Sequence, residues 1–234
     1  MNFLGKALLL LCVASLGACS RQEPATPPAS SAPAAAAQPE AAPPAANTAP
    51  VQLSPELVAR LERPHSPVLG AAKGRVTVVE VLDPACEACR AYAPVVEQLL
   101  FLYPEDVRVV VRFADFHPPS QEAIRLLEAS RQQGKFHKVL ETLFERQSEW
   151  ASHSAPDPAR AWKIAGEAGV DVVKARKAAG AEGVSRMLAL ESEDLVALKV
   201  ERTPTFFVNG KLLVDFGPQQ LFALVKEEAG KAAQ

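Results

Sequence analysis

A run of β-branched residues, Val76–Leu82 (VTVVEVL), has almost no polar interruption. Such a run is typical of a strand buried on both faces of a sheet. The residues after it change to helical spacing, and we predict an amphipathic helix from Cys86 to about Tyr103. A second apolar run, Val107–Phe113 (VRVVVRF), predicts another strand. The pattern therefore predicts a strand that leads into a helix, followed by a second strand.

The stretch from about Ser120 to Val200 shows helical periodicity, so we predict consecutive helices there. Asp157-Pro158 is typical of a helix start and Gly169 of a helix stop. We interpret the apolar side chains at i, i+3 and i+4 spacing as core positions rather than as a cofactor site. These positions are Phe136, Val139, Leu140, Leu143 and Phe144, and in the last helix Met187, Leu188, Leu195 and Leu198.

The C-terminal part is predicted to form a β-hairpin and a final helix. Thr205–Val208 is a predicted strand, Asn209-Gly210 a two-residue hairpin turn, and Leu212–Phe216 the partner strand. A final helix is predicted from Pro218 to a stop at Gly230. The hairpin lies far from Val76 in sequence, so the sheet must be completed by long-range pairing.

Composition separates a tether from a folded domain. Much of the excess of the 20 prolines precedes residue 51, and residues 19–50 lack apolar periodicity, so they cannot bury enough surface to fold. Extended Pro-rich chain reaches about 3.1 Å per residue, which gives a tether of at most roughly 80 to 100 Å. The folded domain is predicted over residues 51–234, beginning with a short amphipathic helix after Ser54-Pro55-Glu56. Its apolar face is expected to pack on its own domain, with a dimer interface as the alternative.

Residues 1–18 have the features of a secretory signal: a basic start at Lys6, a short apolar core and small residues before a cysteine. Leu16-Gly17-Ala18-Cys19 resembles a bacterial lipobox, which implies cleavage before Cys19 and lipidation of that residue. Ser20 follows, and a residue other than Asp there goes with sorting to the outer rather than the inner membrane. We expect a periplasmic lipoprotein held by a lipid anchor; the alternative is an ordinary signal peptide.

The net charge and the number of cysteines limit the classes of function that the chain can have. A net charge of −2 and a pI near 6.1 give no electrostatic reason to expect nucleic acid as a partner, and we predict none. Cys12 lies inside the apolar run of the signal and Cys19 just after it, so the folded domain has Cys86 and Cys89 alone, which excludes a structural disulfide framework and leaves one redox-capable pair. A helix N-terminus favours the thiolate of Cys86, and Cys89, one turn later, is placed to close on it.

Five features, taken together with their order along the chain, resemble the thioredoxin superfamily. Besides the Cys-x-x-Cys pair, Glu80 lies six residues before Cys86, where that superfamily keeps a buried acid, and Pro94 lies eight after it, where its first helix kinks. Thr203-Pro204-Thr205, followed by FFVNG, resembles the cis-proline loop, and HSPVLGAAKGRVTVVEV is similar to the lead-in of the DsbA-like branch. The resemblance implies an α/β thioredoxin fold, a central mixed sheet flanked by helices, with an all-helical insertion at about residues 117–200.

The resemblance also implies an enzyme that exchanges disulfides with protein substrates. Cys86 would be the nucleophile and Cys89 the resolving cysteine, while the Pro204 loop, with Thr203 and Thr205 on either side, would offer its backbone to the substrate. Glu80, among apolar neighbours, is expected to have a raised pKa and to pass protons to and from Cys89. No cofactor is expected beyond the Cys86–Cys89 disulfide, which a membrane redox partner would recycle.

The sequence departs from the DsbA-like pattern beside the cysteines. Glu87 and Ala88 stand where strong oxidants have Pro-His and thioredoxins Gly-Pro, and Arg202 stands where Gly is common. We predict that Glu87 raises the pKa of Cys86 and that Arg90 and Arg202 lower it, with a resulting pKa of about 5.5 to 7.5. The direction of exchange, oxidation against reduction or isomerisation, is left open by these residues.

Two other function classes are alternatives for this sequence. The four histidines lack zinc-finger spacing, so no metal site is predicted from them. Two thiolates suit Cu(I), however, and a Cu(I)-binding or metal-delivery module of the same fold is the main alternative. A partner-binding module without redox turnover is the third class, disfavoured because both cysteines are kept beside the proline loop.

Overall fold

The computed structural model describes residues 49–232, which belong to one compact unit. The predicted signal peptide, the predicted lipidation site Cys19 and nearly all of the predicted tether lie outside the described residues. The folded domain itself can therefore be compared with the sequence pattern from its first strand onward.

The described residues form six strands and eight α-helices. The strands are β1 (Val51–Gln52), β2 (Val68–Gly70), β3 (Val76–Leu82), β4 (Val107–Phe113), β5 (Thr205–Val208) and β6 (Lys211–Leu212). The helices are α1 (Pro55–Leu61), α2 (Glu87–Leu102), α3 (Ser120–Arg131), α4 (Phe136–Glu145), α5 (Pro158–Glu167), α6 (Val172–Ala179), α7 (Glu182–Ala197) and α8 (Pro218–Ala232). A short 3₁₀ helix, Gln147–Glu149, follows α4.

The strands form one mixed sheet in the order β1-β6-β5-β3-β4-β2. β3 pairs parallel with β4 and antiparallel with β5, so the strand with the strongest apolar pattern lies in the interior of the sheet. Every residue of β3 except Thr77 is buried, as the continuous apolar run predicts for a strand covered on both faces. This arrangement brings the C-terminal end of β3, where the cysteines follow, next to the start of β5.

Helices α3 to α7 are inserted between β4 and β5, which confirms the predicted helical insertion. The predicted apolar face of α4 is buried, and its residues share one hydrophobic cluster with Cys86 and Cys89. Gly169, with φ +95°, ends α5 as predicted, because a left-handed backbone there is accessible to glycine. The insertion and the cysteines are therefore parts of one core.

Two predicted boundaries are wrong. The hairpin turn at Asn209-Gly210 is present, with both residues at positive φ, but β6 ends at Leu212 instead of Phe216. Continued pairing would soon place β6 opposite Pro204, which has no N–H to donate. The closing helix continues through Gly230 to Ala232, because Lys231 pairs with Glu227 and Glu228 across the last turn.

A buried ion network, which the sequence pattern did not predict, joins the sheet to the last insertion helix. Arg112 of β4 is 1% exposed; its Nε lies 2.9 Å from Glu191 Oε2 and its Nη2 lies 2.8 Å from Asp194 Oδ2. Arg60 and Arg63, at the end of α1 and just after it, also pair with Asp194. Burial alone would raise the pKa of Asp194, but the hydrogen bonds from the three arginines outweigh it and hold that pKa well below its usual range.

We expect Asp194→Ala to lower the free energy of unfolding by about 3 to 5 kcal/mol, because it leaves buried arginine charge uncompensated. Urea unfolding measures this change, and Glu193→Ala, at the exposed neighbouring position on α7, is the matched control.

The folded-state pKa of Asp194 is depressed, so its contribution to the free energy of unfolding is present above about pH 4 and is lost as the pH falls below the unfolded value. Equal, small losses in both variants would contradict this role for the network.

Candidate active site

The cysteine pair lies where β3 passes into α2. Cys86 is the N-cap residue of α2, with an extended backbone at φ −74° and ψ 122°, and Cys89 lies in the first turn. Cys86 is 7% exposed and Cys89 is fully buried, and both are free thiols in this structure. The unpaired backbone N–H groups of a helix N-terminus favour negative charge at the Cys86 position.

Hydrogen bonding lowers the pKa of Cys86 to about 5. The bond from the Cys89 thiol contributes most; burial opposes it, and the Thr203 side chain and the backbone N–H groups of Cys89 and Ala88 lower the pKa further. This pKa lies below the predicted range of about 5.5 to 7.5. The physical reason is that hydrogen-bond donors contacting the sulfur, rather than charges adjacent in sequence, dominate the stabilisation of the thiolate.

The pKa values of the other two ionisable groups of the site, Cys89 and Glu80, are raised rather than lowered. Burial raises the pKa of Cys89, and its hydrogen bond with Cys86 and the nearby charge of Glu80 raise it further. Burial, with a smaller contribution from Glu97, raises the pKa of Glu80 to about 8, as predicted for a carboxyl on a strand buried on both faces. At neutral pH the site therefore holds one thiolate and one thiol, with a proton-carrying acid nearby. That Glu80 exchanges protons with Cys89 stays a prediction.

The Thr203-Pro204 peptide bond is cis, as the motif predicts. Thr203 lies against the reactive cysteine, with its carbonyl oxygen 3.4 Å from Cys86 Sγ. The Thr205 hydroxyl donates to the carbonyl of Arg202 and so closes the loop on itself. The loop therefore lies next to the cysteines, where β3 ends and β5 begins. The substrate-binding roles of Thr203, Pro204 and Thr205 stay predictions.

The three predicted tuning residues point elsewhere. The Glu87 side chain is 67% exposed, with a carboxylate oxygen 4.0 Å from His153 Nε2. Arg90 lines a polar cavity of about 300 Å³ beside the first turn of α2, and the Arg202 guanidinium lies 5.9 Å from the centre of the Phe216 ring. Within the described part of the chain, none of these charges is among the main interactions that set the pKa of Cys86. Their tuning effect stays a prediction.

Sequence reasoning missed the residues that surround the active-site loop. The Asp83 side chain is fully buried directly after β3, and it bonds with His117 and Ser120 at the start of the helical insertion. Gln147 of the 3₁₀ helix is 3% exposed and donates to the carbonyls of Pro84 and Cys86. A polar residue directly after a buried strand was a usable signal for Asp83. Gln147 gave no local signal.

One cluster of the described residues has the atoms to hold a metal ion, apart from the two cysteine sulfurs. The side chains of Glu97, His137 and Glu141 place a ligand atom each within 4.8 Å of one another. In this structure His137 Nε2 is already paired with Glu97 Oε1 at 2.7 Å. Each of these side chains is at least 40% exposed, and the three form an ion-pair contact between α2 and α4.

Comparison with known proteins identifies sequence relatives of this domain. Residues 62–227 match the model of a protein family described as thioredoxin. The chain is 32% identical over 174 residues to the Na(+)/H(+) antiporter NhaA 3 of Salinispora tropica, covering 72% of this chain and 25% of the antiporter. It is 30% identical over 157 residues to NhaA of Herminiimonas arsenicoxydans, covering 65% and 24%. The chain thus spans about a quarter of the length of the curated relatives that it matches.

Solved structures share the fold over most of the domain. A thioredoxin-like oxidoreductase from Silicibacter pomeroyi is 29% identical with a TM-score of 0.64, covering 74% of this chain and 96% of that one. BdbD from Bacillus subtilis, in its oxidised form, is 21% identical with a TM-score of 0.64, covering 77% and 97%. The α-DsbA1 of Wolbachia pipientis is 15% identical with a TM-score of 0.67, covering 76% and 97%. At these identities the last two support the fold alone.

Across residues 49–232, no helix combines the length and apolar character needed to cross a bilayer.

We expect Thr203→Val to raise the pKa of Cys86 by about one unit, because it removes a hydroxyl that stabilises the thiolate. Thiolate absorbance measured against pH gives this value, with a wild-type midpoint near 5. Thr205→Val is the control, since its hydroxyl bonds within the loop. Glu87→Gln should lower the midpoint, as the predicted tuning effect requires, but by less than about half a unit, because the exposed carboxylate is screened by solvent. A wild-type midpoint above about 7, or equal effects of the two threonine variants, would contradict this account.

Proposed function

The chain belongs to the thioredoxin family, and from that membership we propose that it is a thiol-disulfide oxidoreductase acting on protein substrates through Cys86 and Cys89. The observation that carries the proposal is a helix N-terminal thiol with a pKa of about 5 beside a buried thiol and against a cis-proline loop. Thiolates, rather than thiols, are the nucleophiles of disulfide exchange, and Cys86 is largely thiolate at neutral pH. Membership of the family supports the reaction class, and the geometry of the two thiols supports the proposed roles.

In the reductive direction, the Cys86 thiolate attacks a substrate disulfide. A bond forms between Cys86 Sγ and one substrate sulfur, and the other substrate sulfur leaves as thiolate and is protonated. Cys89 then loses its proton and attacks Cys86 Sγ, which forms the Cys86–Cys89 disulfide and releases the second substrate thiol. Two electrons pass from the cysteine pair to the substrate. In the oxidative direction each step runs in reverse.

The buried carboxyl of Glu80 is proposed to carry the proton of the second step. With a pKa raised to about 8 by burial, Glu80 is mostly protonated near neutral pH, and because that pKa lies close to neutrality it loses its proton at little cost and can then accept the proton of Cys89. The charge of Glu80 already acts on Cys89 in this structure, which supports their proximity. Cys89 is fully buried, so an internal acceptor substitutes for the missing bulk solvent.

The direction of exchange follows from how the pair is recycled. Strong oxidants have nucleophile pKa values of roughly 3.5 and thioredoxin has one of about 7, and the value here lies between them. A pair of this kind serves reduction or isomerisation when a membrane electron donor keeps it reduced, and oxidation when it is kept as the disulfide. We propose that a membrane redox partner sets that state.

The proposed location is the periplasm, with a lipid anchor at Cys19 in the outer rather than the inner membrane. The lipobox-like Leu16-Gly17-Ala18-Cys19 and the following Ser20 support this proposal. The Pro-rich segment after Cys19 would allow the domain to reach substrates away from the bilayer surface.

We expect protein beginning at Ser20, in which Cys86 and Cys89 are the remaining cysteines, to catalyse insulin reduction and the oxidative refolding of a reduced, disulfide-dependent enzyme. Cys86→Ser should abolish turnover, because it removes the nucleophile. Cys89→Ser should accumulate mixed disulfides with substrate, because resolution is blocked.

Exchange of these two phenotypes would reverse the assignment of nucleophile and resolving cysteine. Absence of both activities in the wild type, together with tight stoichiometric Cu(I) binding, would favour the metal-delivery module instead.

We expect the full-length protein to fractionate with membranes through lipid at Cys19. Cys19→Ala should release the protein or block its processing, measured by fractionation and by labelling with a radioactive fatty acid. Cys12→Ala is the matched control, since that cysteine is removed with the signal peptide. Wild-type protein found free in the periplasm would refute the anchor.

A further inference from the structure

The Asp83 side chain is a buried carboxylate with all four acceptor positions in use. Its Oδ1 accepts from the Ala85 N–H at 2.8 Å and from the Ser120 hydroxyl, and its Oδ2 accepts from the backbone N–H of His117 at 3.1 Å and from His117 Nδ1 at 2.8 Å. The residue has no exposed surface. A buried carboxylate requires such partners, and three of the four donors come from His117 and Ser120, at the start of the helical insertion.

The main chain of the same residue contacts both cysteines. The Asp83 N–H donates to Cys89 Sγ at 3.4 Å, and the Asp83 carbonyl accepts from the Cys86 N–H at 3.0 Å. The N–H bond lowers the pKa of Cys89, against the larger opposing effect of burial. Because the side chain is fixed by the insertion, the orientation of this N–H toward the sulfur is fixed as well.

Gln147 holds the loop from a second point of the insertion. Its Nε2 donates to the Pro84 carbonyl at 2.9 Å and to the Cys86 carbonyl at 3.0 Å, and the residue is 3% exposed. The Cys86 carbonyl also accepts the first helical bond, from the Arg90 N–H at 3.1 Å. Both lone pairs of that carbonyl are thus occupied, and the turn that presents the reactive sulfur is fixed on each side.

We propose that Asp83, His117 and Gln147 are positioning residues through which the helical insertion holds the main chain around Cys86 and Cys89, and that this hold shifts the cysteine pair toward its dithiol form. The inference rests on the proposed function, since it concerns the same exchange reaction. None of the three residues forms or breaks a bond in it. They act through the Asp83 N–H and through the shape of the Pro84–Cys86 turn.

The direction of the effect follows from the redox state of the structure. The cysteines are free thiols here, so the contacts described above belong to the reduced pair. The reduced pair carries the Cys86 thiolate, which the Cys89 thiol and the N–H groups of the first turn of α2 stabilise, whereas the disulfide carries no charge. Loosening the turn that holds these donors against Cys86 Sγ therefore disfavours the reduced pair more than the disulfide. Glutathione provides the measurement: the reduced pair gives two electrons and the proton of Cys89 to glutathione disulfide, a second proton comes from solvent, two glutathione thiols result, and the Cys86–Cys89 bond forms.

The experiment measures the equilibrium constant of protein beginning at Ser20 with glutathione buffers, comparing paired variants at one position. His117→Asn keeps a donor nitrogen at the same number of bonds from Cα as Nδ1, whereas His117→Leu removes the donor. We expect His117→Leu to shift the equilibrium toward the disulfide by about three- to tenfold and His117→Asn by less than about twofold. Rescue by the Asn variant identifies the hydrogen bond to Asp83 as the cause.

Gln147→Met, which keeps the volume of the side chain but removes its donor, should shift the equilibrium in the same direction by about three- to tenfold. Gln133→Met is the matched control, because Gln133 is a half-buried glutamine of the insertion that bonds with the backbone of Asp171, away from the cysteines. Should Gln147→Met fail to fold, the two His117 variants decide the question.

A purely structural role would destabilise the dithiol and disulfide forms equally and leave the glutathione equilibrium unchanged. An unchanged equilibrium in both His117→Leu and Gln147→Met would therefore overturn the inference. The proposed function fails differently: wild-type protein that does not form the Cys86–Cys89 disulfide in any glutathione buffer would refute the exchange activity itself.

Discussion

Stabilising a negative charge on a nearly buried sulfur is the constraint on which the rest of the site depends. Burial at Cys86 opposes the thiolate, so every lowering of its pKa must come from hydrogen bonds and from the start of α2. Three separate parts of the chain meet that requirement: β3 delivers the residue, the first turn of α2 supplies N–H groups, and the cis-proline loop brings Thr203. The Cys89 thiol in that first turn contributes most, and the sheet order, which places β5 directly beside β3, brings Thr203 to the sulfur.

The helical insertion is part of this arrangement rather than an addition to it. Its apolar faces share one core cluster with both cysteines, and its polar residues reach the loop between β3 and α2. On the other side of the sheet, α7 is fixed to β4 by the buried network around Arg112. Contacts therefore hold the insertion both at the β3–α2 loop and at β4. A displacement of its helices would move the side chains packed around the two sulfurs, as well as the backbone that connects the insertion to the sheet.

Local pattern was sufficient for the elements whose neighbours are close in sequence. The buried strand Val76–Leu82, the helix that Cys86 begins and the apolar face of α4 were all predictable, because burial on both faces or on one stripe leaves a periodic signature. The end of β6 was not predictable in this way, since we relate it to Pro204, which directly precedes the neighbouring strand β5. The partners of Asp83 and Gln147 were missed for the same reason, and Glu87 shows that adjacency in sequence to Cys86 does not imply contact with its sulfur.

The opposite pKa shifts of the two thiols have a consequence for the proton stoichiometry of the redox couple. Between pH 5 and the raised pKa of Cys89, the reduced pair retains one proton and the disulfide none. Reduction by two electrons then takes up one proton, so the potential should fall by only about 30 mV for each unit of pH, and by about twice that below the pKa of Cys86. Where the external pH varies, the reduction potential of such a couple therefore changes less than that of a couple that binds two protons on reduction.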